Sequence, residues 1–238
     1  MKTLVLTDNP VARSLAYELQ AEYGDIDIFQ SPSGTLPDVP RLDIKRDLAM
    51  IASRYSLVLS LHCTQIFPAT LISQVRCVNV HPGFNPYNRG WYPHVFSLLN
   101  GLKAGVTIHE MDEQIDHGPI IVQQEIPIQP WETSESVYAN LMNVERQLLL
   151  EWFVRIRERR YAPYMPAHDG NLNTKKEYEA LKRIDLDRVG KFGDFLNLLR
   201  GLSHGSYNNA YFIDEQGRRV YVKMILELDT ADATSISV

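Results

Sequence analysis

The chain has 238 residues, 45% of them hydrophobic and 22% charged, with 24 Lys and Arg against 29 Asp and Glu and a formal net charge of −5. This is the composition of a folded globular protein, and it excludes disordered and fibrous classes. The acidic balance argues against a dedicated nucleic-acid binder, and no apolar stretch approaches the roughly 20 residues of a membrane span. Asp8-Asn9-Pro10 ends the first apolar run too early for a signal peptide, so a buried first strand and a cytoplasmic protein are expected. Cys63 and Cys77 sit in apolar segments without CxxC spacing, which reads as two core thiols.

Lys2–Thr7 reads as that strand, and Pro10 opens a helix to Tyr23 with Val11, Leu15, Ala16 and Leu19 at helical spacing. Asp25–Gln30 is a second strand, followed by a Pro/Ser/Gly loop over Ser31–Pro40. Lys45–Tyr55 is a helix, Leu57–Leu61 a strand, Pro68–Val75 a short helix and Cys77–His81 a strand. Tyr92–Asn100 is a helix; Val106–Glu110 and Ile120–Ile128 are strands. Thr133 or Ser134 caps a long helix reaching Arg159, with the stripe Val137, Leu141, Val144, Leu148, Trp152 and Ile156. Its terminal arginines 155, 157, 159 and 160 read as a favourable dipole contact and a solvated face.

Tyr161–Asn173 is the linker candidate. Beyond it, Asp187 caps a helix to Arg200 that Gly201 stops, and Asn208–Asp214 with Arg218–Leu226 forms a hairpin around Glu215-Gln216-Gly217. Thr230–Val238 is a tail. These elements imply an α/β protein with a doubly wound, mostly parallel sheet over residues 1–165 and a small helix-and-hairpin subdomain over 166–238. Ligands on such sheets bind beyond the carboxyl ends of the strands. Neither a dinucleotide fingerprint nor a P-loop is present.

The informative stretch runs from Cys77 to Pro93, CVNVHPGFNPYNRGWYP. Asn79 and His81 are two apart at a strand end, so both side chains point to one face. A second polar cluster, Asp112 to Pro119, carries Asp116 just before another strand. Asn-x-His-Pro, Pro-x-x-Arg-Gly, Gly-Val-Thr-Ile-His and Asp-x-Gly-Pro-Ile-Ile, in that order, resemble the 10-formyltetrahydrofolate-dependent formyltransferases. The longer NPYNRGWYP form and the segment 209–224 are most similar to the nucleotide-sugar N-formyltransferases, especially those acting on dTDP-4-amino-4,6-dideoxyglucose. The resemblance is good over residues 57–130, whereas 25–56 and 165–200 match no pattern.

The resemblance implies a triad of Asn79, His81 and Asp116. The residue types suit the chemistry. An amide donor can stabilise a tetrahedral oxyanion, worth roughly 10²–10³ in rate. An imidazole can take the amine's proton, worth about 10²–10⁴. A carboxylate orients the imidazole. The resemblance further implies a formyl donor, N10-formyltetrahydrofolate, cradled by Gln65, Ile66 and Phe67 and by Asp112 and Ile115.

For the nucleotide-sugar it implies Asn85, Tyr87, Asn88, Arg89 and Trp91, with Arg89 offering a fork for a pyrophosphate. Tyr207, Asn209 and Tyr211 would form a base pocket, with Asn208 beside them. His62 and His204 are further candidates, while His94, His109 and His117 are assigned structural or solvated places. No His/Cys cluster has zinc spacing, so no metal is expected. The unpaired edges of a hairpin suggest a homodimer. The implied product would serve cell-surface polysaccharide (O-antigen) synthesis. Alternatives are a methionyl-tRNA formyltransferase, a formyltetrahydrofolate hydrolase and a non-catalytic sensor.

Overall fold

The structure, a computed structural model, describes residues 2–229. The tail expected over Thr230–Val238 lies outside the described residues.

Strand β1 (Thr3–Leu6) is buried on both faces, as befits the interior of a parallel sheet. Helix α1 (Pro10–Tyr23) starts where the Asn9 side chain accepts hydrogen bonds from the Val11 and Ala12 amides, at 2.8 and 3.2 Å. Its buried face is Ala12, Leu15, Ala16 and Leu19; Val11, expected inside, is exposed, because the stripe begins one residue later. There follow β2 (Ile26–Phe29), α2 (Leu48–Arg54), β3 (Leu57–Leu61), α3 (Ala69–Ile72) and β4 (Arg76–His81). Next come the short β5 (Arg89–Gly90), α4 (Pro93–Asn100), β6 (Ala104–Glu110), β7 (Ile120–Ile126) and the long α5 (Ser134–Arg157).

The main sheet has the order β2-β1-β3-β4-β6-β7. β2, β1, β3 and β4 are parallel, and β6 and β7 add antiparallel. The alternation of side chains divides the core between the two faces. Val5, Leu59 and Val78 pack under α1 and α5, against Leu15, Leu141, Leu149 and Phe153. Leu4, Leu6, Val58 and Cys77 pack on the other face with Ile44, Ile51 and Leu71. The expected doubly wound, mostly parallel sheet is the one observed.

After α5 the structure departs from the sequence reading. The segment 161–173 is pinned rather than free: Tyr164 exchanges both backbone hydrogen bonds with Ile120, at 2.8 and 3.0 Å. The short strand β8 (Leu172–Asn173) then pairs with β5. A helix not foreseen, α6 (Lys175–Leu181), begins at a capping box in which Thr174 and Glu177 bond reciprocally. α7 (Phe192–Leu202) starts five residues later than Asp187. Gly201 lies inside its last turn, where a Cβ would crowd Leu99 of α4. The hairpin β9 (Ala210–Ile213) and β10 (Arg219–Val222) forms as expected, its turn closed by Gly217 at φ 77°. Val95, Tyr178, Leu198, Leu202 and Ala210 join α4, α6, α7 and the hairpin in a third apolar cluster.

Candidate active site

The strand order places the carboxyl ends of β1, β3 and β4 side by side, and a cavity of about 960 Å³ opens there. The starts of α1, α4 and α5 and parts of the C-terminal segment close its other sides. Asn79 and His81, both on β4, reach it together with Asp116, which the 111–118 loop carries from the far end of β6.

Asp116 is the hub. It sits at φ 48°, and its carboxylate accepts hydrogen bonds from Asn79 Nδ2 at 2.9 Å and from the Gly90 amide at 3.0 Å. His81 Nδ1 lies 3.5 Å from Asp116 Oδ2. His109 Nε2 lies 3.7 Å from Oδ1 and 3.4 Å from Asn79 Nδ2. The His109 position follows from register, since β4 and β6 set His109 opposite Asn79. A sequence reading had no access to that pairing and assigned His109 a structural place. The Glu110 carbonyl, 2.7 Å from His109 Nδ1, makes Nδ1 the protonated nitrogen and leaves Nε2 to face Asn79. One amide proton of Asn79 is thus directed at Asp116, and its amide nitrogen also lies against His109.

The electrostatics follow from the packing. Burial works to raise Asp116, but His81, His109 and the Gly90 amide outweigh it and hold the carboxyl well below the usual carboxylate range. Burial pushes His81 below its ordinary 6.5. Asp116 opposes this, while His109, His62 and Arg89 add to it. The result is a neutral imidazole beside an ionised carboxylate, which is the state a general base requires. His81 Nε2 is buried without a hydrogen-bond partner against Gly83, where a Cβ would overlap the ring.

Of the expected donor-site residues, Gln65, Ile66, Phe67, Asp112 and Ile115 all line the cavity. Gln65 also braces the neighbouring loop, accepting from the Ile44 amide and donating to the Leu42 carbonyl at 3.0 Å each. Ile66 and Ile115 are apolar and largely exposed, at 71% and 47%.

The acceptor-side expectations divide. Trp91, Tyr207 and Asn209 line the cavity, as do His62 and His204. Asn85, Asn88 and Arg89 do not; all three are buried and serve the framework. Asn85 donates to the Asp116 carbonyl at 2.9 Å and Arg89 to the Ile115 carbonyl at 3.0 Å, so both support the loop that carries Asp116. Asn88 bonds Ser97, Asn100, Asn171 and Asn173. Tyr87 faces a separate, shallower depression beside His168, and Tyr211 packs on Tyr221 within the hairpin.

Tyr138, His94, Ser134, Tyr178 and Lys182 line the cavity without having been singled out as ligand contacts. Each belongs to a helix or its cap, and only the packing of those helices around the sheet aims them inward. Burial pushes the thiols of Cys63 and Cys77 up to about 11 and about 12, so neither is a ready nucleophile. Among the described residues no group of three His, Cys, Asp or Glu is placed to hold a metal.

The sheet and this constellation are those of a formyl transferase. The formyl transferase family matches residues 40–153, and the N-formyltransferase dimerization C-terminal domain matches residues 177–228. The dTDP-4-amino-4,6-dideoxyglucose formyltransferase of Mycobacterium tuberculosis is 58% identical over 227 residues, covering 95% of this chain and 97% of its own length. The crystal structure of a Mycobacterium tuberculosis protein at 57% identity superposes with a TM-score of 0.94, over 96% of this chain and 98% of its own. A sugar N-formyltransferase from a Shewanella strain superposes with a TM-score of 0.91 at 38% identity, over 96% and 98%. The chain belongs to the sugar N-formyltransferase family and is an N-formyltransferase.

Proposed function

We propose that this enzyme transfers a formyl group from N10-formyltetrahydrofolate to the 4-amino group of dTDP-4-amino-4,6-dideoxyglucose, as a cytoplasmic step towards a cell-surface polysaccharide. The observation that carries the reading is the large cavity lined by the neutral His81, the ionised Asp116 and the 62–67 and 111–116 loops. Its volume of about 960 Å³ is ample for two ligands meeting end to end. The identity of 58% to an enzyme named for that acceptor supports the choice of sugar.

The residues of the 62–67 and 111–116 loops fit a folate. Ile66 and Ile115 present uncovered apolar surface at the cavity, which a flat ring system would bury. When bound, the folate supplies an activated formyl carbon. His81 receives the proton that the attacking amine loses and can return it to the folate nitrogen that departs, Asp116 holds the imidazole in orientation, and Asn79 with Gly90 holds Asp116. On the acceptor side, Trp91, Tyr207 and Tyr138 offer aromatic faces, and Lys182 a cation. The C-terminal match in place of a tRNA-binding barrel disfavours a tRNA acceptor.

The same match supports a homodimer. The test is mass spectrometry of the products after mixing the protein with the formyl donor and the dTDP-aminosugar. A formylated sugar, with dTDP as a competitive inhibitor, supports the reading. Free formate without formylated sugar would make the protein a hydrolase. Inhibition by another nucleotide but not by dTDP would overturn the base assignment.

A further inference from the structure

The loop between β6 and β7 carries Asp116, and its two ends are drawn together. The Glu110 amide donates to the Pro119 carbonyl at 2.9 Å, and a Cβ on Gly118 would meet the Glu110 carbonyl oxygen at 2.0 Å. Asp116 stands at φ 48°, a conformation that costs free energy in a residue other than glycine and persists where the surroundings fix it. Two framework side chains do part of this. Arg89 donates to the Ile115 carbonyl at 3.0 Å and Asn85 to the Asp116 carbonyl at 2.9 Å. Both grip the backbone ahead of His117.

A further tie crosses the loop itself. Asp112 Oδ1 accepts from the Gln114 amide at 2.9 Å, and Asp112 Oδ2 lies 2.6 Å from His117 Nδ1. A carboxylate offers no proton, so Nδ1 carries one and donates it. The side chains of His117 and Asp112 are 18% and 34% exposed, so the bond is partly shielded from water, unlike an open surface pair. The other ring nitrogen, Nε2, faces the exposed Asp169 at 3.8 Å, beyond hydrogen-bond reach. One carboxylate thus holds the start of the turn with one oxygen and the residue next to Asp116 with the other. We propose that His117 is a positioning residue for formyl transfer: its Nδ1–H bond to Asp112 closes the 112–117 turn, which sets Asp116 against His81 and Ile115 against the formyl donor.

Loss of that bond opens the turn at one point and moves two parts of the site together. One is the pair of His81 and Asp116, 3.5 Å apart. The other is the donor wall at Asp112 and Ile115, both of which line the cavity. Trp91, Tyr138, Lys182 and Tyr207, on the acceptor side, stand on other elements and are not attached to this turn.

The inference rests on the reading of the 111–116 loop as a donor wall, and steady-state kinetics of His117→Ala, His117→Asn and His117→Gln test it. The amide nitrogen of Asn takes the place of Nδ1, and that of Gln the place of Nε2. His117→Ala and His117→Gln are expected to lower kcat about tenfold and raise the donor KM about tenfold, with the acceptor KM within about twofold. His117→Asn is expected to keep kcat and donor KM within about twofold of the wild type. Nitrogen-15 NMR of the wild-type enzyme in mildly alkaline solution is expected to show the proton on Nδ1, where a free imidazole prefers Nε2. That readout needs no substrate. Failure of the donor reading would show instead in the wild-type enzyme, as no turnover with N10-formyltetrahydrofolate. A folded His117→Ala enzyme with near-normal kcat and donor KM overturns the proposal. So does a folded His117→Asn as impaired as His117→Ala, a His117→Gln that works as well as His117→Asn, or a wild-type Nδ1 without a proton.

Discussion

Asp116 is ionised and His81 neutral because the pair is buried together and bonded on different sides. A carboxyl lowered in this way binds its proton more weakly in the folded chain than in the unfolded one. Its contribution to stability is therefore present above the ordinary 3.8 and is lost as the pH falls further. His81 has the opposite consequence for activity. Depressed below 6.5, it stays unprotonated into mildly acidic solution, so the acid limb of kcat/KM is expected to lie below 6.5. A limb at or above that value in a pH-rate profile would contradict the buried, neutral base. His81→Ala and Asp116→Asn should each lower turnover by at least about a hundredfold with the circular dichroism spectrum unchanged. Gly83→Ala should act on the same group from behind, since the added methyl overlaps the His81 ring; the expectation is a drop in kcat without unfolding.

At the scale of elements, Asn88 fastens the end of the segment that joins the sheet to the C-terminal helices. Asn88 donates to Ser97 at 3.0 Å, and its own oxygen accepts from Asn100 and Asn171 at 2.8 Å and from Asn173 at 3.2 Å. Asn88→Ala leaves several of these groups buried and unpaired, at about 1–3 kcal/mol each. Urea denaturation should show a loss of at least about 2 kcal/mol, and an intact midpoint would show that water replaces the network. This junction explains why the C-terminal third was hard to read. The β1–α1–β2 start announces itself through Asn9, Pro10 and Gly24, and the Asn79/His81 pair through the period of a strand. The linker 161–173 carries Pro, Asn and Gly, the residues of a free loop, but β5 and Ile120 lend it a partner that local pattern cannot reveal. Arg89 misled for a related reason. Its charge suggested a ligand, whereas the fold turns it onto the Ile115 carbonyl, beneath the loop that carries Asp116.

At the scale of the whole molecule, Asn79, His81 and Asp116 come from one chain, while the C-terminal segment leaves large apolar side chains uncovered. Val189 is 96% exposed, Phe192 76% and Ile225 85%, all within the region that matches the dimerization domain. Large apolar side chains concentrated outside a core mark an interaction surface. A second copy of the chain is the partner that this match suggests. Light scattering at micromolar concentration should therefore give the mass of a dimer, and Val189→Asp combined with Phe192→Asp should give a monomer. Both positions are exposed, so the substitutions leave the fold itself intact. Because the residues at the catalytic centre come from one chain, the monomer should keep its turnover per chain within about twofold. A doubly substituted protein that stays dimeric would place the interface elsewhere. A monomer that loses activity would show that the partner steadies the cavity wall supplied by Tyr207 and Asn209, the part of the site nearest the hairpin in sequence.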